Sequence, residues 1–244
     1  MRTPFVRLGF AALRARIPPP PLRGLARYRE YWDFKMMLER LGITLFLDVG
    51  ANDGTFAQGI RDMGYSGRIV SFEPNPTEFK NIEALAFGDP NWTAEWCALG
   101  SEAGTASLNI TDSNSVFSSL LTPTKTPPVS RVVEVPVHRL DEIWNRLVTD
   151  RDRVFLKTDT QGFDLKVIQG IGNRLNDVCG IQIELNVVKL YENSPHYLNV
   201  LEFLESSGFS VLELRPNHYT KQGFIIEFDC FMARASAFLN DRIS

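Results

Sequence analysis

A near-continuous apolar run from Ile43 to Asp48 ends in Val49-Gly50-Ala51-Asn52-Asp53-Gly54, and no other feature constrains the fold of this chain so tightly. A strand-length run that is apolar on both faces belongs inside a parallel sheet, with helices covering it above and below. The turn after it opens a helix with Phe56, Ile60 and Met63 facing inward. Glycine accepts positive φ and asparagine is the next most tolerant residue, so Gly50, Asn52 and Gly54 are the positions where backbone can bend closely around a ligand.

The strand–helix alternation then repeats. Arg68 to Phe72 reads as a second strand, and Asn75, Pro76 and Glu78 mark a helix start, with Phe79, Ile82 and Leu85 on one face. Trp92 to Ala98 reads as a third strand. Between Gly100 and Pro136 the alternation stops. Thr105 to Ile110 alternates like an exposed strand, and residues 111–130 are rich in Ser, Thr and Pro, a length that marks a functional or irregular connection. The pattern resumes with a helix at Leu140 to Leu147, a strand at Val154 to Thr158, a helix from Asp164, a strand at Ile181 to Leu185 and a helix at His196 to Ser206. Ser210 to Leu214 and Phe224 to Ala233 are too close in sequence for a helical crossover and must pair antiparallel. The fold class is therefore α/β, a doubly wound and mostly parallel sheet with an antiparallel C-terminal strand. One domain is expected over residues 43–244, preceded by a basic arm and leading helix over residues 1–42.

Charge separates these two parts. Residues 1–35 hold eight Arg and Lys against Glu30 and Asp33, a net of +6, which leaves 18 basic and 27 acidic residues, a net of −9, for the rest. The body therefore lacks the basic surface that nucleic acid requires. Within the arm, Phe5, Leu8, Ala12 and Leu13 fall near helical spacing among arginines before Pro18 to Pro21 break any helix. Two readings stand for this part, a partner-packed or flexible extension and a weak contact with a membrane surface. Cys97, Cys179 and Cys230 are too few and too scattered for a disulfide framework, which fits buried thiols in a reducing, cytoplasmic setting.

The ligand of the turn follows by exclusion. No G-x-x-x-x-G-K-[ST] sequence is present, and the spacing Gly50-x-x-x-Gly54 with Asp53 in the turn would repel the diphosphate that a G-x-G-x-x-G turn binds. Glu73, 25 residues after Asp48, stands where an acid binds the ribose hydroxyls of an adenosine. Asp48 and Asp53 suit a cationic ligand, and S-adenosylmethionine carries both a sulfonium and an amino group. A nicotinamide dinucleotide is the remaining alternative. On the same sheet edge, Asp159 ends the fourth parallel strand, Lys157 sits inside it and Glu184 lies in the fifth, and these three are the catalytic candidates: Asp159 first, as base or as a contact to donor or acceptor, and Lys157 either paired with Asp159 or Glu184 or orienting the acceptor and tuning Asp159. His138, after the long connection, is favoured over His196 and His218 as a further base. Oxygen donors at Asp159, Glu184 and Asn186 have no ligand spacing, so no metal is predicted.

Asp48-Val49-Gly50-Ala51-Asn52-Asp53-Gly54, Ile69-Val70-Ser71-Phe72-Glu73-Pro74-Asn75 and Lys157-Thr158-Asp159-Thr160-Gln161-Gly162, with Phe163-Asp164 and Ile168-Gln169-Gly170, resemble the FkbM-type methyltransferases, in order, from about Ile43 to about Ala233. The resemblance implies a class I methyltransferase (Rossmann-like) fold and S-adenosyl-L-methionine as donor, with S-adenosyl-L-homocysteine as product. It also implies donor contacts at Asp48, Gly50, Ala51, Asn52, Gly54, Glu73, Pro74 and Ala98. The acceptor it implies is a hydroxyl of a sugar, glycan or polyketide. Another small metabolite, or a role as a non-catalytic donor-binding subunit, stays open. Many members carry an acid where this chain has Gln161, which can donate and accept hydrogen bonds but cannot act as a base. Asp112 to Leu120 resembles the family's serine-bearing segment, and its hydroxyls around Phe117 suit a lid over a polyol acceptor.

Overall fold

Residues 23–111 and 115–238 are described in a computed structural model of the protein; the arm over residues 1–22 and Asp112 to Asn114 of the expected lid lie outside them. Strand β1 (Leu45–Val49) is buried at every position, as its unbroken apolar sequence requires. It pairs in parallel with β2 (Arg68–Phe72) on one side and β7 (Val154–Thr158) on the other, which sets Asp48 between Ser71 and Lys157. Strand β3 (Trp92–Glu95) extends the sheet beyond β2 and β8 (Val178–Asn186) extends it beyond β7, all in parallel. Strand β10 (Ile225–Ala233) joins β8 antiparallel, and β9 (Ser210–Tyr219) pairs with it to form the edge. The order β3-β2-β1-β7-β8-β10-β9 is the class I methyltransferase arrangement, with its C-terminal strand reversed.

Helices cover both faces. One face buries Leu47, Val70, Leu156 and Ile183 against Trp144 of α4 (Leu140–Leu147), Ile168 of α5 (Asp164–Gln169) and Leu204 of α6 (Tyr197–Ser206). The other buries Phe46, Ile69, Phe155 and Phe231 against α1 (Arg23–Arg40) and α2 (Thr55–Asp62). Phe34 of α1 meets Phe46, Phe56 and Phe155 edge-on, with ring centroids 5.4, 5.0 and 5.5 Å away, so the leading helix is part of the core. Helix α3 (Pro76–Ala86) starts as its sequence dictates, with Asn75 Oδ1 accepting the Thr77 N–H at 3.1 Å and Pro76 in the first turn. Of its expected apolar face Ile82 is buried, while Leu85 is exposed.

Two differences from the sequence reading share one cause. The expected third strand breaks at Trp96-Cys97, where Cys97 N–H turns back to Glu95 O and Trp96 Nε1 bonds Pro74 O. The following residues, β4 (Ala98–Leu99), leave the main sheet for a second one, ordered β4-β6-β5, with β5 (Gly104–Thr111) and β6 (Val129–His138). Val135 and Val137 of β6 join Leu108, Ile110 and Ala98 in a small core of their own. Pro127, Pro128 and Pro136 make β6 read as a loop, since prolines bracket a valine alternation that is otherwise strand-like. Cys97 and Cys230 are buried, and burial pushes both thiols up to about 12; Cys179 is half-buried.

Replacing Phe34 with Ala removes the ring shared by four aromatic neighbours and should cost about 3–5 kcal/mol. The expected result is a lower urea midpoint at an unchanged slope.

Candidate functional site

The parallel strands β3, β2, β1, β7 and β8 end on one edge, and the strand order reverses between β1 and β7, which is where ligands bind in open α/β sheets. A cavity of about 270 Å³ opens there. Its floor is the turn after β1. Gly50, Asn52 and Gly54 all have positive φ, at 76°, 50° and 78°. A Cβ on Gly50 would lie 2.0 Å from the Asp159 carbonyl oxygen, so glycine is required where the β1 and β7 ends cross. Glu73 ties this turn to the next one, since Oε2 accepts the Asn52 N–H at 2.7 Å and Oε1 the Asn75 N–H at 2.8 Å. Each oxygen keeps a second lone pair, and the carboxylate lines the cavity with Pro74, Cys97 and Ala98.

The loop after β7 builds the opposite wall. Asp164, at the start of α5, turns back and accepts from Thr158 Oγ1 at 2.7 Å, Thr160 N–H at 2.9 Å and Gly162 N–H at 3.1 Å. That clasp fixes Asp159 to Gln161 without using Asp159 as a cap. Gln161, at φ 55°, is the centre of the wall. Its Nε2 donates to Glu184 Oε2 at 2.7 Å and Asp159 Oδ1 at 3.2 Å, and its Oε1 accepts from Tyr191 Oη at 2.7 Å. Lys157 Nζ lies 3.3 Å from Asp48 Oδ1 and 3.6 Å from Asp159 Oδ2, beneath the same loop. The 3₁₀ turn Ser115–Phe117 roofs the cavity, with Ser115 Oγ donating to Asn52 Oδ1 at 3.0 Å and Ser119 Oγ to the Gln161 carbonyl at 2.8 Å.

The carboxyl groups differ in state. Burial pushes Glu184 well above the usual carboxylate range, and the nearby Asp159, Glu227 and Asp229 push it further. Burial lifts Asp229 to about 6, with Asp159 adding to the shift. Asp159 is the one in contact with solvent, its side chain 38% exposed.

Several expected residues therefore meet at one cavity and others do not. Gly50, Asn52, Glu73, Pro74, Ala98, Asp159 and Glu184 line it. Asp48 is fully buried behind the turn against Lys157, while Asp53 is exposed and accepts the Thr55 N–H, so neither acid lines the cavity. Ala51 packs into the core beneath the turn, and Gly54 sits against Ile82 and Leu85. Lys157 pairs with Asp48 and Asp159 and not with Glu184, because Asp48 is directly across the ladder from it. His138 ends β6 as an exposed residue opposite Leu99 and does not reach the cavity, and His196 caps α6. His218 is the histidine that lines it, with Nδ1 2.6 Å from Glu227 Oε1. Sequence reasoning ranked His218 below His138 and missed Glu227 and Tyr191, since only the register of the β9–β10 hairpin and the path of the loop after β8 bring them here. Among the described residues, no group of three or more Cys, His, Asp or Glu is arranged to hold a metal ion.

The methyltransferase FkbM domain profile matches residues 48–211, a span that contains the turn, Glu73 and the wall from Lys157 to Glu184. No curated protein sequence matches the chain. Solved structures similar to it include fibrillarin of Aeropyrum pernix with natively bound S-adenosyl-L-methionine, at 12% identity over 79% of this chain and 66% of that one (TM-score 0.45). EvdMO1 is similar at 15% identity over 85% of this chain and 40% of its own (TM-score 0.44). Magnesium protoporphyrin IX methyltransferase (ChlM) of Synechocystis PCC 6803, with bound SAM, is similar at 10% identity over 93% of this chain and 91% of that one (TM-score 0.48). The chain belongs to the FkbM methyltransferase family, and S-adenosylmethionine is its cofactor. The residues fit that group: a glycine turn too tight for any side chain, and a buried carboxylate with free lone pairs set to accept from ribose hydroxyls.

Burial pushes Glu73 up to about 8, although the Asn75 and Asn52 N–H groups hold it down. Protonation removes an acceptor site, so affinity for S-adenosylmethionine should fall as pH drops from about 9 to about 6. E73Q should bind roughly 10–100-fold more weakly and lose that pH dependence, as read by calorimetry. The ligand-free fold should respond in the opposite sense. Between the ordinary carboxyl value of 4.5 and about 8, the folded chain holds a proton that the unfolded chain has released. That contribution to stability therefore falls as pH rises through this window, and E73Q should flatten it.

Proposed function

We propose that this FkbM methyltransferase transfers the methyl group of S-adenosylmethionine to a hydroxyl of a sugar, glycan or related biosynthetic intermediate. The observation that carries this reading is the position of Asp159. Its solvent-facing carboxylate stands between the cofactor turn and a roof whose groups are hydroxyls, Ser115, Ser118 and Ser119. A polyol is recognised by such paired donors and acceptors, and Gln161 and His218 line the same cavity.

When bound, S-adenosylmethionine would supply an electrophilic methyl on a sulfonium, which the acceptor oxygen would take in line as the carbon–sulfur bond breaks and S-adenosylhomocysteine leaves. The Gly50–Asn52 turn and Glu73 would hold the donor, and Pro74 and Ala98 would flank it. Approximation of this kind is worth up to about 7–11 kcal/mol of the barrier. Asp159 takes the hydroxyl proton as the new bond forms. Its Oδ1 is fixed by the Gln161 amide and its Oδ2 faces Lys157, so the carboxylate keeps one orientation in both protonation states. Gln161 is thus a positioning residue, and its own amide takes no proton. Glu184, its carboxyl pushed well above the usual carboxylate range by burial, accepts from the other side of that amide and anchors it.

D159N should leave donor binding intact, read as an unchanged rise of the melting midpoint with S-adenosylhomocysteine. It should lower S-adenosylhomocysteine release with a hydroxylated glycan acceptor by about 10²–10⁴-fold. An unchanged rate would remove Asp159 from the reaction.

A further inference from the structure

We propose that the far end of the cavity, formed by Glu184, Glu227 and His218, is a subsite for an ammonium group, so that the acceptor is an amino sugar or another hydroxylated amine. This rests on the hydroxyl-transfer reading above and narrows its substrate class. The order of strands along the sheet edge separates this end from the donor. Glu73 follows β2, Gly50 follows β1 and Asp159 follows β7, and beyond them come Glu184 in β8, Glu227 in β10 and His218 in β9. Neighbouring strands lie about 4.8 Å apart, so Glu227 stands two strands, or about 10 Å, past the strand that carries Asp159. A donor seated between Glu73 and Asp159 leaves Glu227 to the acceptor.

What this end offers a ligand is one-sided. The Glu227 side chain is only 5% exposed, and its Oε1 lies 2.6 Å from His218 Nδ1. Facing a carboxylate, the ring places its hydrogen on Nδ1 and keeps a lone pair at Nε2. Glu227 Oε2 has no partner among the described residues, and Glu227 lines the cavity, so a carboxylate more than nine-tenths buried turns an unfilled oxygen to the ligand space. Glu184 takes the Gln161 amide at Oε2 and leaves Oε1 open. The nearby donors are already occupied: the Gln161 amide by Glu184 and Asp159, the Tyr191 hydroxyl by Gln161 Oε1, and Lys157 by Asp48 and Asp159. Among the described residues, no Lys or Arg lines the cavity.

A hydroxyl brings one hydrogen and two lone pairs, whereas an ammonium brings three hydrogens and no lone pair, so an ammonium matches a set of groups that accept. Charge selects in the same direction. Burial, with Asp159, Glu227 and Asp229 beside it, pushes Glu184 well above the usual carboxylate range. A cation at this end relieves that crowding, and a carboxylate or phosphate on the acceptor adds to it. With the ammonium held by Glu227, the span back to Asp159 fixes which hydroxyl of the same molecule meets the methyl group.

The probes that test this are the methyl glycosides of glucose, of its aminodeoxy isomers and of glucuronic acid, each offered to the full chain. S-adenosylhomocysteine release in the presence of S-adenosylmethionine is read alongside the melting midpoint of the S-adenosylhomocysteine complex. At least one amino glycoside should be turned over roughly tenfold or more faster than the glucose glycoside, with the new methyl on oxygen by mass spectrometry and the glucuronide slowest. E227Q should erase that preference while its own midpoint still rises with S-adenosylhomocysteine, which shows it folded and able to bind donor. H218Q, which leaves the carboxylate in place, should keep the preference. Equal use of amino and neutral glycosides, or a preference that survives E227Q, would overturn the subsite and leave the hydroxyl reading standing. An amino glycoside that raises the midpoint through Glu227 without any turnover would uphold the subsite and overturn the hydroxyl reading. Methylation on the amine nitrogen would overturn both, and no response to any amino glycoside by either readout would overturn the subsite.

Discussion

The buried pair of Asp48 and Lys157 is the constraint around which the rest of the molecule is arranged. The two residues face each other across the β1–β7 ladder, at the point where the strand order reverses. Burial raises the Asp48 pKa against the pull of Lys157. For Lys157, burial opposes the charge, but Asp48, Asp159 and Asp229 outweigh it and the net shift is upward. A pair of this kind adds little net stability, yet losing one partner costs about 3–5 kcal/mol, because the other is left charged and alone. It therefore fixes register and orientation more than it adds strength. The face it occupies carries Phe46 and Phe155 toward one end and Ser71, Asp48, Lys157 and Gln182 toward the other. The sheet is apolar where α1 and α2 cover it and polar where it opens into the cavity.

From that pair the site follows by steps of one or two residues. Two residues past Lys157, Asp159 comes within its reach, and two past Asp48, Gly50 comes so close to the Asp159 carbonyl that no side chain fits. The turn on the donor side and the carboxylate on the acceptor side are thus parts of one contact. Asp164 then clasps the loop from Thr158 to Gly162, and Gln161 joins it to Glu184 on the next strand. Donor turn and acceptor wall are set by main-chain geometry and buried hydrogen bonds, while the roof of serines rests on them through two side-chain contacts.

The strands and helices that position this site were legible because each carries a strong local signal. β1, β2 and β7 are buried apolar runs, Asn75-Pro76 is a helix start, and the short spacing of the last two strands admits only a hairpin. The second sheet was not legible, because β6 is half-exposed and bracketed by prolines, and its partner β4 is only two residues long. Site residues followed the same division. Gly50, Glu73 and Asp159 sit at the ends of well-marked strands. Asp53 was assigned to the ligand by charge, and Asp48 by charge and by the family resemblance, and neither says which side of a turn faces the cavity. The choice of His138 over His218 failed for a comparable reason. A histidine after a long connection looks free to reach anything, whereas His218 reaches the cavity through a hairpin whose bulges at Ile225 to Phe228 shift its register onto Glu227.

Those acids also explain how a cavity walled by Asp159, Glu184 and Glu227, with Asp229 behind, remains stable before any ligand arrives. Three like charges at such separations would cost several kcal/mol in a partly desolvated space. The protein spreads that load in three ways. Glu184 is pushed well above the usual range, Glu227 has the His218 imidazole at 2.6 Å, and Asp159 faces both solvent and Lys157. The carboxylate left for chemistry is the one that combines exposure with a fixed orientation. Gln161 makes the arrangement workable, since a third acid at its position would meet Asp159 and Glu184 with no hydrogen to offer, whereas the amide donates to both. An amide at this position, where the family resemblance implies an acid in many members, is therefore compatible with a working site, and on the proposed reading the proton transfer rests on Asp159.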